Sequence, residues 1–116
     1  MPIIKVWGIP LMPREYLQIV KREIREAVEA ISELGLKGKK SVTVLFPSEI
    51  TTSGLLEFEI VSEVTGLFIG SKRTDRVRRR LAESIGKAIG KRFSGTKVEC
   101  LIYPFDPKDG FWSSEE

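Results

Sequence analysis

A proline follows the first methionine, and the residues after it, Ile3-Ile4-Lys5-Val6-Trp7, read at once as a short strand. Removal of Met1 would leave Pro2 as a secondary amine held at the end of a sheet. An α-amino group ordinarily titrates at about 7.7 to 8.0, and apolar surroundings disfavour its charged form and lower that value. Such a nitrogen suits general-base chemistry near neutral pH. With Met1 retained, the same nitrogen is a tertiary amide with no basic lone pair, so the chemistry depends on one processing step.

The remaining side chains narrow the options. The chain of 116 residues has no histidine and one cysteine, Cys100. The usual acid/base side chain, an intrachain disulfide and a thiolate cluster for zinc are therefore excluded. A second group that could do chemistry is basic: Lys72, Arg73, Arg76, Arg78, Arg79 and Arg80 fall close together in sequence. That density can hold phosphates, and it also fits a solvated helix face. The net charge of +3, from 19 basic and 16 acidic residues, suits small anions as well as nucleic acid and does not choose between them.

The elements that must position these groups follow from periodicity. Gly8, Pro10 and Pro13 end the first strand, and from Arg14 to Leu34 apolar residues recur at three- and four-residue steps, predicting an amphipathic helix stopped near Gly35. Ser41 to Phe46 reads as a strand ended by Pro47, which favours an edge or a terminus. Leu56-Glu57-Phe58-Glu59-Ile60 alternates strictly and reads as a strand with one buried face. After Gly66 and Gly70, Thr74 or Asp75 caps a second helix, facing inward through Val77, Leu81, Ile85, Ala88, Ile89 and Phe93. The last strand runs from about Lys97 to Tyr103 and stops at Pro104, ahead of a tail carrying Phe105, Phe111 and Trp112.

The halves superpose at an offset of 57 residues, which pairs Val20 with Val77, Ile24 with Leu81, Val28 with Ile85, Leu45 with Ile102, Phe46 with Tyr103 and Pro47 with Pro104. One domain is expected over 1–116, with β-α-β units at 1–50 and 55–104 and a tail at 105–116. Right-handed crossovers make each unit a parallel pair. The expected α+β fold is a four-stranded mixed sheet with two helices on one face, leaving the other face to be covered in an oligomer.

A chain beginning Met-Pro-Ile-Ile, with two strand-helix-strand units and a closing aromatic tail, resembles the tautomerase superfamily. The likeness is to the group of 4-oxalocrotonate tautomerase, 5-carboxymethyl-2-hydroxymuconate isomerase and macrophage migration inhibitory factor. Local matches are Arg22-Glu23-Ile24 to Ala27 in the first helix, Gly66-Leu67-Phe68-Ile69-Gly70 as a glycine-bracketed turn before the second, and Tyr103, Asp106, Gly110 and Trp112 at the end. The resemblance implies homotrimers with sheets lining a central barrel and a site at each subunit boundary around Pro2. It also implies proton transfer on a small anionic carbonyl compound by the proline nitrogen, with no metal or organic cofactor.

Carried over by resemblance, Arg14 and Lys37 fall near substrate-binding cations of the family, and Thr65 offers a backbone N–H. Arg73 of the basic run and Tyr103 complete the candidate substrate-binding set, with Phe105, Phe111 and Trp112 as further aromatics that could shape the pocket. Thr43 stands about where the 4-oxalocrotonate enzymes have a second arginine, so their diacid substrate is not implied. A catalytically silent protein of the same fold, or a ferredoxin-like nucleic-acid module using Lys72 to Arg80, are the competing readings. Nucleic-acid modules stack bases on exposed strand aromatics, whereas Leu56, Phe58, Ile60 and Leu101 occupy positions that look like core. No run approaches the ~20 apolar residues of a membrane span, and no signal-peptide pattern opens the chain, so a cytoplasmic address is expected.

Overall fold

The computed structural model describes residues 2–38, 42–47 and 59–115. Leu56 and Phe58, and the expected unit boundaries at 50 and 55, lie outside the described residues. Four strands and two helices follow in the order β1 (Ile3–Trp7), α1 (Arg14–Glu29), β2 (Thr43–Leu45), β3 (Glu59–Phe68), α2 (Asp75–Gly90) and β4 (Lys97–Phe105), with short 3-10 turns at Ser32–Leu34 and Pro107–Asp109. The sheet order is β2-β1-β3-β4. β1 pairs parallel with β2, β3 pairs parallel with β4, and β1 meets β3 antiparallel. This is the expected mixed sheet of two β-α-β units.

Alternation sets which strand residues meet the helices. Ile4 and Val6 on β1, Val44 on β2, and Ile60, Ser62, Val64 and Leu67 on β3 are buried. They pack against Val20, Ile24 and Val28 of α1 and Val77, Leu81, Ile85 and Ile89 of α2. Ser62 is the polar member of this face, and its hydroxyl donates to the Glu99 carbonyl at 3.2 Å. The opposite sheet face carries Lys5, Trp7, Leu45, Val61, Glu63, Leu101 and Tyr103. Leu101, expected in the core, is 44% exposed. Its pairing with Glu63 puts it on the side without helices.

Three boundaries differ from the sequence reading. The first helix stops at Glu29, and Ile31 turns extended (φ −90, ψ 96) before the 3-10 turn; this break lets Ile31 and Leu34 both stay buried. β3 runs on to Phe68, past Ser62, a polar residue at an inward position that interrupts the apolar alternation. β4 continues through Pro104, which is tolerated because β4 is an edge strand.

The repeat also shifts. β1 ends at Trp7 and α1 starts at Arg14, while β3 ends at Phe68 and α2 starts at Asp75, an offset of 61. The two helices are 16 residues each and the loops 8–13 and 69–74 match in length. Offsets of 57 and 61 differ by about one helical turn, which an i, i+4 apolar pattern cannot distinguish. Val44 and Ile102, rather than Leu45 and Ile102, look toward the helices. Gly8 (φ 89) closes the first unit's strand against the second, where any Cβ would collide with the Glu59 carbonyl oxygen.

Candidate active site around Pro2

Pro2 is buried at the start of β1, and its carbonyl accepts the Thr43 N–H at 3.1 Å. Together with Leu36, Val42, Val64 and Leu67 it closes around an apolar recess that has no room for a water molecule. The first residue of the sheet is therefore fixed by packing and by the parallel ladder, with Lys37 exposed just beyond Leu36.

Across β3 the ladder is interrupted beside this position. The β3–β4 register runs to Val64 opposite Ile102 and resumes at Leu67 opposite Pro104, so Thr65 and Gly66 together face Tyr103. Gly66 has φ 73, the left-handed conformation of a glycine bulge. The expected glycine-bracketed turn thus begins as a bulge inside β3. On its other side, Ile3 pairs with Thr65, and the antiparallel register carries Pro2 to the level of Gly66. Pro2 and Tyr103 flank one bulge from two neighbouring strands, about 10 Å apart by strand spacing.

Bulging turns Phe68 to the face away from the helices, where it meets Phe105 at 6.1 Å and Phe111 at 4.9 Å between ring centroids. Gly66, Phe68, Phe105 and Phe111 line a cleft of about 280 Å³. An isolated glycine in a strand-like run, followed by Leu-Phe, was the signal for this geometry. Tyr103 is 45% exposed. Desolvation on the strand surface, then the charge and hydrogen bonding of Glu63, raise its phenol above the ordinary value. It stays a protonated donor at neutral pH. Glu63 is itself held by the Trp7 indole N–H at 2.8 Å.

The other candidates separate. Because β1 and β3 are antiparallel, the loop before α2 lies at the Pro2 end of the sheet and the loop before α1 at the opposite end. Arg14 starts α1 at that far end, a strand length of roughly 17 Å from Pro2 in the same chain. Arg73 is at the near end, but its guanidinium donates to the Phe68 carbonyl at 2.9 Å and the Leu34 carbonyl at 2.6 Å. It ties the end of β3 to the turn after α1. Arg78 donates to the Arg73 carbonyl, and Arg80 pairs with Glu33 at 2.7 Å. Half of the basic run is thus engaged within the fold, leaving Lys72, Arg76 and Arg79 exposed. Burial, chiefly, raises the Cys100 thiol, which Ser62 only partly offsets, so it is a poor nucleophile. Among the described residues no cluster of His, Cys, Asp or Glu could hold a metal ion, and no helix is long and apolar enough to cross a membrane.

The sequence matches no protein-family model and no curated protein significantly. Solved structures do match over nearly the whole chain. A fused 4-OT described as an asymmetric trimer superposes with TM-score 0.73 at 16% identity, covering 98% of this chain and 94% of that one. A member of the cis-3-chloroacrylic acid dehalogenase family superposes with TM-score 0.73 at 15% identity, covering 98% and 81%. Pt0534 inactivated by 2-oxo-3-pentynoate gives 0.67 at 15%, covering 97% and 92%. All three are tautomerase-superfamily structures, and the chain has their fold.

Proposed function

We propose that the chain is a cofactor-independent tautomerase in which the Pro2 nitrogen, freed by removal of Met1, moves a proton on a small anionic carbonyl compound. The observation that carries this reading is the fixed, buried position of Pro2 at the head of β1, at the end of the sheet that also carries the Gly66 bulge and, on the helix-free face, the aromatic cleft. Buried among apolar side chains, a free secondary amine there is neutral at physiological pH and ready to accept a proton. The nitrogen takes a proton from the enol oxygen or from the carbon next to the carbonyl. It returns that proton at another carbon, so the enzyme ends unchanged.

Tyr103, its phenol directed to Glu63, lines the far side of the bulge as a polar wall for the substrate, and exposed Lys37 and Lys72 at the same end attract the anion. Thr65 offers its main chain at the bulge. Arg14 of a neighbouring subunit could complete the site in a homotrimer, the assembly described for the fused 4-OT. Such an assembly would cover the helix-free sheet face, where Leu45, Leu101 and Tyr103 are each more than 40% exposed. A cytoplasmic address is part of this proposal.

The nucleic-acid reading has less support. Parallel β1 and β2 are adjacent, unlike the split β-α-β arrangement of ferredoxin-like modules, and Arg73, Arg78 and Arg80 are engaged internally.

The test begins with intact mass, which reports whether Met1 is removed. In Met1-free protein, ketonisation of phenylenolpyruvate or a 2-hydroxydienoate is expected, falling by about 10²-fold or more in Pro2→Ala. The reagent 2-oxo-3-pentynoate, which inactivates Pt0534, is expected to add one mass increment to wild type and none to Pro2→Ala. Absence of both turnover and labelling in Met1-free protein would overturn the assignment.

A further inference from the structure

Immediately beyond the aromatic cleft on both strands lies a second, larger one. Ile69, Gly70 and Ser71 follow Phe68, and Asp106, Pro107 and Lys108 follow Phe105; these six residues line a cleft of about 510 Å³. The Ile69 N–H donates to the Phe105 carbonyl at 2.9 Å, so the two walls are joined where the clefts meet. The far wall is a small rigid turn. Asp106 accepts the Lys108 N–H on its carboxylate at 3.0 Å, the Asp109 N–H reaches the Asp106 carbonyl, and the Phe111 N–H reaches the Pro107 carbonyl. Phe111 of the first cleft and Lys108 of the second are thereby carried on one structure.

Lys108 is exposed and meets no carboxylate within ion-pair distance among the described residues. It is the cation in the wall of either cleft. The cations suggested by resemblance do not fill that place: Arg14 is at the other end of the sheet, and Arg73 is spent on two carbonyls. From the level of Gly66, one residue past the Ile3–Thr65 pair at the head of β1, to Ile69 and Gly70 is about 10 Å along the strand, with the Phe68 ring between.

We infer that Lys108, with the Ser71 hydroxyl beside it, binds the substrate's carboxylate, and that this carboxylate is separated from the enolisable carbon by a ring-sized apolar spacer. The spacer occupies the cleft of Phe68, Phe105 and Phe111. The substrate class is then a carbonyl compound with a carboxyl-bearing aryl group, preferred over a 2-oxo acid whose carboxylate adjoins the carbonyl, which the same nitrogen turns over less efficiently. This rests on the tautomerase reading for its chemistry, though not for its binding site. The Asp106 carboxylate, occupied by the Lys108 main chain, also lines the cleft and disfavours anions that approach without reaching the lysine.

Two measurements test it. Exchange of the benzylic protons of 4-carboxyphenylacetone into D2O, followed by NMR, is compared with phenylacetone and phenylpyruvate. Lys108→Gln is expected to raise the KM for 4-carboxyphenylacetone about tenfold relative to phenylacetone, as expected for losing one charge-assisted hydrogen bond, and Lys108→Arg to restore most of it. Equal effects on the two ketones, or phenylpyruvate as the better substrate with no dependence on Lys108, would overturn the inference.

Binding of 4-ethylbenzoate to Pro2→Ala protein by calorimetry separates recognition from catalysis. Weaker binding on adding Lys108→Gln supports the subsite; no binding, or binding indifferent to Lys108, overturns it. Lys108-dependent binding by a Met1-free wild type that exchanges no ketone protons would leave the subsite standing and remove the tautomerase reading.

Discussion

The loops 8–13 and 69–74 have the same length and the same place in the two β-α-β units, yet they have been put to different uses. The first, Gly-Ile-Pro-Leu-Met-Pro, leaves Leu11 fully exposed and enters α1 from Pro13 with no side-chain cap. The second, Ile-Gly-Ser-Lys-Arg-Thr, enters α2 under the Thr74 hydroxyl, which accepts the Val77 N–H at 3.3 Å, and sends Arg73 to two carbonyls. The antiparallel β1–β3 pair puts them at opposite ends of the sheet, and Pro2 lies at the end of the second. A duplicated scaffold therefore has one end tied down around the candidate site. The other end carries exposed Leu11 between two prolines and has no comparable clamp in its loop.

The comparison breaks first if the helices are unequal in the core. At the offset of 61, Ile24 and Ile85 are equivalent, and both are fully buried. Truncating either to alanine is expected to cost about 2–5 kcal/mol, with the two values close to each other. Chemical denaturation of both variants reads this directly. A small loss for one alone would mean that one unit holds most of the stability.

Next in size comes the difference between the loops. Arg73→Ala leaves the Phe68 and Leu34 carbonyls without their donor, for an expected loss of about 1–3 kcal/mol. Arg14→Ala, at the exposed start of α1, is expected to stay within about 0.5 kcal/mol. Equal losses would mean that the Arg73 clamp contributes nothing in solution. Because Arg73 also fixes the end of β3 beside Phe68, its loss should loosen the aromatic cleft as well.

Arg73 also shows where the sequence was legible. Both helix faces and a cap at Thr74 or Asp75 follow from periodicity and local chemistry, because each depends on neighbours within about one helical turn, and the parallel pairs of the sheet follow from the handedness of the crossovers. Pro2 and Tyr103 were legible as candidates. What brings them to one bulge was not, since that depends on how β3 is registered against β1 and β4 over long sequence separations. The guanidinium of Arg73 looks like part of a basic surface until Leu34 is seen to lie next to it. Leu101 misled for a related reason: alternation identifies two faces of a strand without saying which one the helices cover. Lys108 carries no sequence signal, since its placement comes from the turn after β4.

Thr74→Ala removes the side-chain cap of α2 and is expected to cost about 1 kcal/mol. Pro13→Ala removes no cap hydrogen bond, and its effect should be limited to the freedom gained by the unfolded chain, a few tenths to about 1 kcal/mol. Thermal denaturation at equal concentration separates them. A larger loss at Pro13 would place the more rigid entry at the uncapped end and reverse the contrast between the loops.

The smallest effect is confined to acid and concerns the seam between the two units. Glu23 of α1 receives the Arg92 guanidinium on both oxygens, at 2.6 and 2.9 Å, and Lys91 at 3.3 Å. The hydrogen bonds from Arg92, reinforced by Lys91 and opposed by desolvation, lower its pKa from 4.5 to about 2. A carboxylate depressed on folding contributes stability that is fully present above its unfolded value and disappears as pH falls through its folded one. The seam should thus weaken between about pH 4.5 and pH 2, with salt screening keeping the effect modest at a surface pair. Urea midpoints at pH 7 and pH 3 are expected to fall more for wild type than for Glu23→Gln, which has no charge to lose. If both fall equally, the acid sensitivity lies elsewhere, with the Arg80–Glu33 pair at the Pro2 end as the next contributor, since the Glu33 carboxyl is also lowered by Arg80.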